Sequence, residues 1–216
     1  MEHASTINAV GHYGGRFGPG FFGEPLNSFT NLAFVIGAIY AWHVWQSNGA
    51  RDRWQLLLFV LAGCIGVGSF IFHSVPTPTT LMFDLVPIQV FGLAYLAYVG
   101  IRYFRASQMQ VILALVVFFF ARQYWVSVSP RGALGGGITH IPSIVVLAAG
   151  GLCLRLKGIR LGRFLLIASV AYLSALVPRS LDLYVCPSFP IGLHWLWHLL
   201  TALTTTILLY GIAISA

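Results

Sequence analysis

Five residues of this 216-residue chain have the types and spacing for chemistry: Ser69, His73, Asp84, His194 and His198. Each lies in or at the end of a long apolar run, where an ionisable group is costly and therefore a functional candidate. His194 and His198 stand four residues apart and share one helix face. His73 can add a third imidazole from a facing helix, and three neutral histidines plus a water make a catalytic zinc site with one open position. Asp84 supplies an acid within an apolar run. Ser69 lies one turn before His73 on the same face. Zinc, an acid and a hydroxyl are the components of metal-assisted hydrolysis. The expectation is one Zn2+ per chain on His73, His194 and His198. Taken singly, each residue has a plainer reading. A lone intramembrane histidine is ordinarily a hydrogen-bonded helix partner, and Asp84 alone suits a proton relay or an arginine. Ser69 beside Gly66 and Gly68 suits close packing. The site reading rests on residues from three helices arriving at one depth.

The elements that must bring them there follow from composition. Hydrophobic residues make up 58% of the chain and charged residues 8%, against roughly 25% charged in a soluble domain. A disordered chain, a coiled coil and an ordinary cytosolic globule are excluded. Apolar runs at 26–46, 54–73, 80–101, 108–124, 138–154, 161–177 and 191–214 give seven spans of about 20 residues. They are long and non-alternating, unlike barrel strands. The expected fold class is an all-α, seven-transmembrane helix bundle. Loops after the first, third and fifth runs hold eight Lys and Arg, and the opposite side holds four. The positive-inside rule then puts the N-terminus outside and the C-terminus in the cytoplasm. Residues 1–23 form a short external segment without a signal-peptide core, and residues 24–216 form the membrane domain. The charge of +7 is spread singly or in pairs between apolar runs, so it fits cytoplasmic loops and anionic headgroups rather than nucleic acid. Cys64, Cys153 and Cys186 form no metal or disulfide pattern, and Cys64 and Cys153 read as small core residues.

Three segments carry a resemblance: Glu24-Pro-Leu-Asn27-Ser-Phe-Thr-Asn31-Leu, then Gly68-Ser69-Phe-Ile-Phe-His73 running on to Asp84, then Asp182-Leu-Tyr-Val-Cys186 followed by Gly192-Leu-His194-Trp-Leu-Trp-His198. From about Glu24 to the end the chain resembles the alkaline ceramidases. These are seven-span hydrolases of a superfamily of intramembrane metal enzymes that includes the adiponectin and progestin receptors. The resemblance implies a zinc-dependent lipid amidase acting on ceramide, giving a long-chain base and a fatty acid. It implies zinc on His73, His194 and His198, and catalytic roles for Ser69 and Asp84. One departure stands out. Eukaryotic members carry an acidic Asp-Trp-x-Glu-x-Asn segment that, with a later Glu, binds calcium. Here the matching stretch is Val10-Gly-His-Tyr-Gly-Gly-Arg16, and of those acids only Glu24 remains. Calcium takes six to eight oxygens, so no calcium site is expected. The stretch also lacks a cysteine to pair with Cys186.

Other polar residues have structural readings. Glu24-Pro25 suits a helix start. Asn27 and Asn31 share a face and are expected to hydrogen-bond to another helix, or alternatively to sit behind the site's ligands. His140, His3, His12 and His43 lie near run ends and are not expected to be ligands. Trp195 and Trp197 suit a lipid pocket or the interface, and Pro87 is expected to bend its helix near Asp84. Rival functions are weaker. A retinal protein needs a lysine in the last span, and the single lysine is Lys157, in a loop. A proton-coupled transporter or channel explains Asp84 and the histidines but not their gathering at one end. A receptor would ordinarily have a longer N-terminal extension. The expected partner is a ceramide-like lipid, with no nucleic acid, and the expected setting is a bacterial inner membrane with the site facing outward.

Overall fold

The computed structural model describes residues 13–18, 23–49 and 52–215. His3 and His12 lie outside the described residues, as do most of residues 1–23. The described residues form helices and connecting turns, with no strands among them. A short helix α1 (Pro25–Thr30) precedes seven longer ones: α2 (Leu32–Ser47), α3 (Arg53–Ser74), α4 (Pro78–Arg102), α5 (Gln108–Val128), α6 (Ile141–Leu156), α7 (Leu161–Val185) and α8 (His194–Ser215). A segment Ala133–His140, kinked by left-handed φ at Leu134, Gly135 and Gly136, leads into α6. Six helices, α3 to α8, are long and apolar enough to cross a membrane, with α6 counted together with the segment before it. The first expected run is interrupted at Asn31. Its backbone keeps right-handed helical angles, φ −67° and ψ −19°, so α2 continues on from α1.

Local signals explain the starts. The Asp52 carboxylate accepts from the Trp54 N–H at the head of α3. Thr77 with Thr80, and Ser107 with Gln110, form reciprocal capping pairs on α4 and α5. The main departure from the sequence reading is α7. The run was expected over 161–177, yet the helix continues through Pro178 to Val185. Neighbouring helices can re-satisfy the backbone group that a proline frees in a membrane-type bundle. The extra turns carry Arg179 and Asp182 toward the site.

α8 packs against α2, α3 and α7, α4 covers α3, and α6 covers α7. Leu58, Ala62, Leu209 and Ile212 form the fully enclosed centre. α5 buries only Val111 and lies at the outside. Large apolar side chains such as Ile36, Val60 and Phe120 face outward. Lipid explains this, because an apolar exterior costs nothing there and polar groups turn inward. Cys64 and Cys153 are exposed, which corrects their reading as core residues: in a bundle with an apolar exterior, a hydrophobic run does not say which side faces in.

Candidate metal centre

The last turn of α3, the first turns of α4 and α8, the end of α7 and α1 converge at one end of the bundle. His73 sits one residue before the end of α3, and His194 opens α8 with His198 a turn later. All three are buried, and one nitrogen of each lies within 4.8 Å of the others. Ring centroids are 4.5 Å apart for His194–His198, 4.7 Å for His73–His198 and 5.1 Å for His73–His194.

Hydrogen bonds decide which nitrogens point inward. His73 Nδ1 lies 2.7 Å from Glu24 Oε2. A carboxylate only accepts, so Nδ1 donates and Nε2 keeps its lone pair. His198 Nδ1 lies 3.1 Å from Thr30 Oγ1. That hydroxyl already donates to the Leu26 carbonyl at 2.8 Å, so it accepts from Nδ1 and again leaves Nε2 free. Outer partners of this kind fix the ring and tautomer of a metal-bound histidine. His194 differs. Arg179 Nη1 donates to its Nδ1 at 3.1 Å and lies 3.5 Å from its Nε2. The Tyr13 ring stacks on His194 at 4.0 Å, and the Arg179 guanidinium covers Tyr13. The donor set therefore fits a metal ion at His73 and His198 directly, and at His194 once the guanidinium releases a nitrogen.

Glu24 is buried. Burial raises its pKa, but its hydrogen bonds to His73 and Asn27 and the charge of Arg16 outweigh that and hold it below the ordinary carboxylate value. Asp182 on α7 accepts from the backbone N–H groups of Leu193 and His194, and so caps α8 from another helix. Its other oxygen accepts from Gly14 N–H.

Ser69 and Asp84 reach one cavity of about 180 Å³ that His194 and His198 also line, walled by apolar groups such as Ile88, Phe91 and Leu208. Gly68 makes this possible. A Cβ there would collide with the Phe83 carbonyl and sit 3.5 Å from the Asp84 backbone nitrogen, so only glycine lets α3 approach α4 beside Asp84. Ser69 is buried and Asp84 half-buried, and among the described residues no hydrogen bond ties either to a neighbour. Every sequence-predicted site residue thus comes to this end of the bundle.

Several participants were not foreseen. Glu24 does precede a helix start, but its carboxylate turns to His73. Asn27 bonds to the Gly14 carbonyl and to Glu24, and Asn31 to the Asn27 carbonyl in its own helix. Among the described residues neither asparagine side chain bonds across to another long helix, but Asn27 holds the Glu24 carboxylate behind His73, the alternative expectation for it. His140 precedes α6, bonds to the Tyr172 hydroxyl and lines the same cavity without joining the histidine cluster.

Helices of this composition around a buried histidine cluster define a polytopic membrane protein with a candidate metal centre. The sequence model described as Ceramidase matches residues 20–133, just over half of the chain. The protein belongs to the ceramidase family, and membership supports a ceramidase-like hydrolase with a lipid substrate. No curated protein gives a significant match to the chain.

Proposed function

We propose that the chain is a zinc-dependent intramembrane amidase that hydrolyses the N-acyl bond of a ceramide-like lipid to a long-chain base and a fatty acid. The observation that carries this reading is the buried cluster of His73, His194 and His198, of which His194 and His198 line a cavity shared with Ser69 and Asp84. The three imidazoles would hold zinc, which supplies Lewis acidity and a nucleophile at neutral pH. Asp84 takes the proton of the attacking water and returns it to the leaving nitrogen. The Ser69 hydroxyl donates a hydrogen bond to the carbonyl oxygen as negative charge develops there. The apolar cavity walls suit the acyl chain.

The α1–α2 stretch serves as the first of seven spans. Residues 24–216 then form the hydrolase domain, residues 1–23 lie outside, and the C-terminus is cytoplasmic. The histidine end faces the external side of a bacterial inner membrane. Elemental analysis of chelator-free protein tests the reading: about one zinc per chain is expected. His198→Ala should lose zinc and ceramide hydrolysis together. Metal-free protein that still cleaves ceramide would overturn the proposal.

A further inference from the structure

We infer that Arg16 is a positioning residue of the metal centre, its guanidinium being the built-in counter-ion that holds Glu24 against His73. The inference rests on the three-histidine reading above. It starts from a charge that has to be balanced. Glu24 is 1% exposed, and a buried carboxylate without a partner is strongly unfavourable. Its two oxygens have separate tasks. Oε2 takes His73 Nδ1 at 2.7 Å and Asn27 Nδ2 at 2.9 Å. Oε1 takes Arg16 Nη2. Among the described residues Arg16 is the lysine or arginine that pairs with Glu24. Losing it leaves one carboxylate oxygen unpaired, and the carboxylate is then free to turn away from His73.

The Arg16 backbone is held so that the side chain has to point inward. Gly14 N–H donates to Asp182 Oδ2 at 2.8 Å, and Gly15 N–H to the Pro190 carbonyl at 2.9 Å. Phe17 N–H closes on the Gly23 carbonyl at 2.7 Å. Asn27 Nδ2 grips the Gly14 carbonyl at 2.8 Å. Tyr13, three residues earlier, stacks on His194. One short strap therefore reaches two of the three histidines, through Glu24 to His73 and through Tyr13 to His194. The guanidinium also reaches the Gly18 carbonyl through Nη1 at 3.4 Å. Lysine could replace the charge but not this two-ended fork.

The test is zinc affinity, measured by chelator competition on the purified full chain in detergent, for wild type, Arg16→Ala, Arg16→Lys and the exposed-loop control Arg131→Ala. Removing partners outside the ligand shell typically costs 10–100-fold in metal affinity. Arg16→Ala should weaken zinc binding at least about tenfold. Arg16→Lys, which restores the charge but not the fork, should recover part of that loss, and millimolar guanidinium should recover part of it in Arg16→Ala. Arg131→Ala should bind as wild type does. The inference is overturned if Arg16→Ala keeps wild-type affinity. It is also overturned if that variant melts earlier while its folded fraction binds zinc normally, because the role would then be structural only. A wild-type protein that binds no zinc overturns the metal reading itself. Wild-type zinc with unchanged Arg16→Ala affinity overturns this inference alone.

Discussion

Replacing Asp182 with asparagine tests how the site is assembled. Oδ1 accepts from Leu193 N–H at 2.7 Å and His194 N–H at 3.0 Å, and Oδ2 accepts from Gly14 N–H at 2.8 Å. The carboxylate is 2% exposed and wedged between glycines. A Cβ on Gly14 would lie 2.6 Å from Oδ1 and 2.7 Å from the Gly192 Cα. Asparagine is nearly the same size, but its NH2 group has to face a donor on one side. Turned toward Gly14, it loses one bond to a charged acceptor, about 1.5–3 kcal/mol. It also removes a negative charge from the N-terminus of α8, about 0.3–1 kcal/mol. The sum is about 2–4 kcal/mol. For a chain of this size each kcal/mol lowers Tm by roughly 2–4 °C, so a fall of roughly 4–16 °C is expected. Near-UV circular dichroism during heating in detergent measures it. The Asp182→Ala variant loses all three bonds and should fall further. An Asp182→Asn protein melting within about 2 °C of wild type would refute the carboxylate as the clamp joining α7, α8 and the N-terminal strap.

The proposed catalytic pair should be separable from the proposed ligands. Ser69→Ala should keep zinc and melt normally while kcat on long-chain ceramide falls roughly a hundredfold or more, and Asp84→Asn should likewise keep zinc and lose turnover. Normal turnover by the folded fraction of either variant would return that residue to a packing role. Gly68→Val forces a side chain into the Phe83 carbonyl, so α3 and α4 should separate at a cost of about 1–3 kcal/mol, seen as a lower Tm and lost activity. For orientation, a single cysteine beside Arg131, with Cys64, Cys153 and Cys186 replaced, should react with an impermeant thiol reagent in intact cells. Reaction only after permeabilisation reverses the proposed topology.

The sequence by itself determined the class of fold and the chemistry on offer. Apolar runs long enough to span lipid can satisfy their backbones only as helices or closed barrels, and non-alternating runs leave helices. The i, i+4 spacing of His194 and His198 puts both on one face whatever surrounds them, because helix geometry is local. The Ser69–His73 spacing fixes the same for α3. The tertiary structure alone decided what orients those side chains. Glu24 before Pro25 looked like a helix start, because its 49-residue reach to His73 has no local signature. Asp182 lay beyond the end of the 161–177 run, and only packing against neighbouring helices carries α7 on through Pro178 to it. Cys64 and Cys153 could not be assigned a side from a run that is apolar all round, since lipid and core ask for the same residue types. Local periodicity thus wrote the paired histidines into the chain, while the carboxylates and the arginine packed beside them meet only when distant helix ends are brought together.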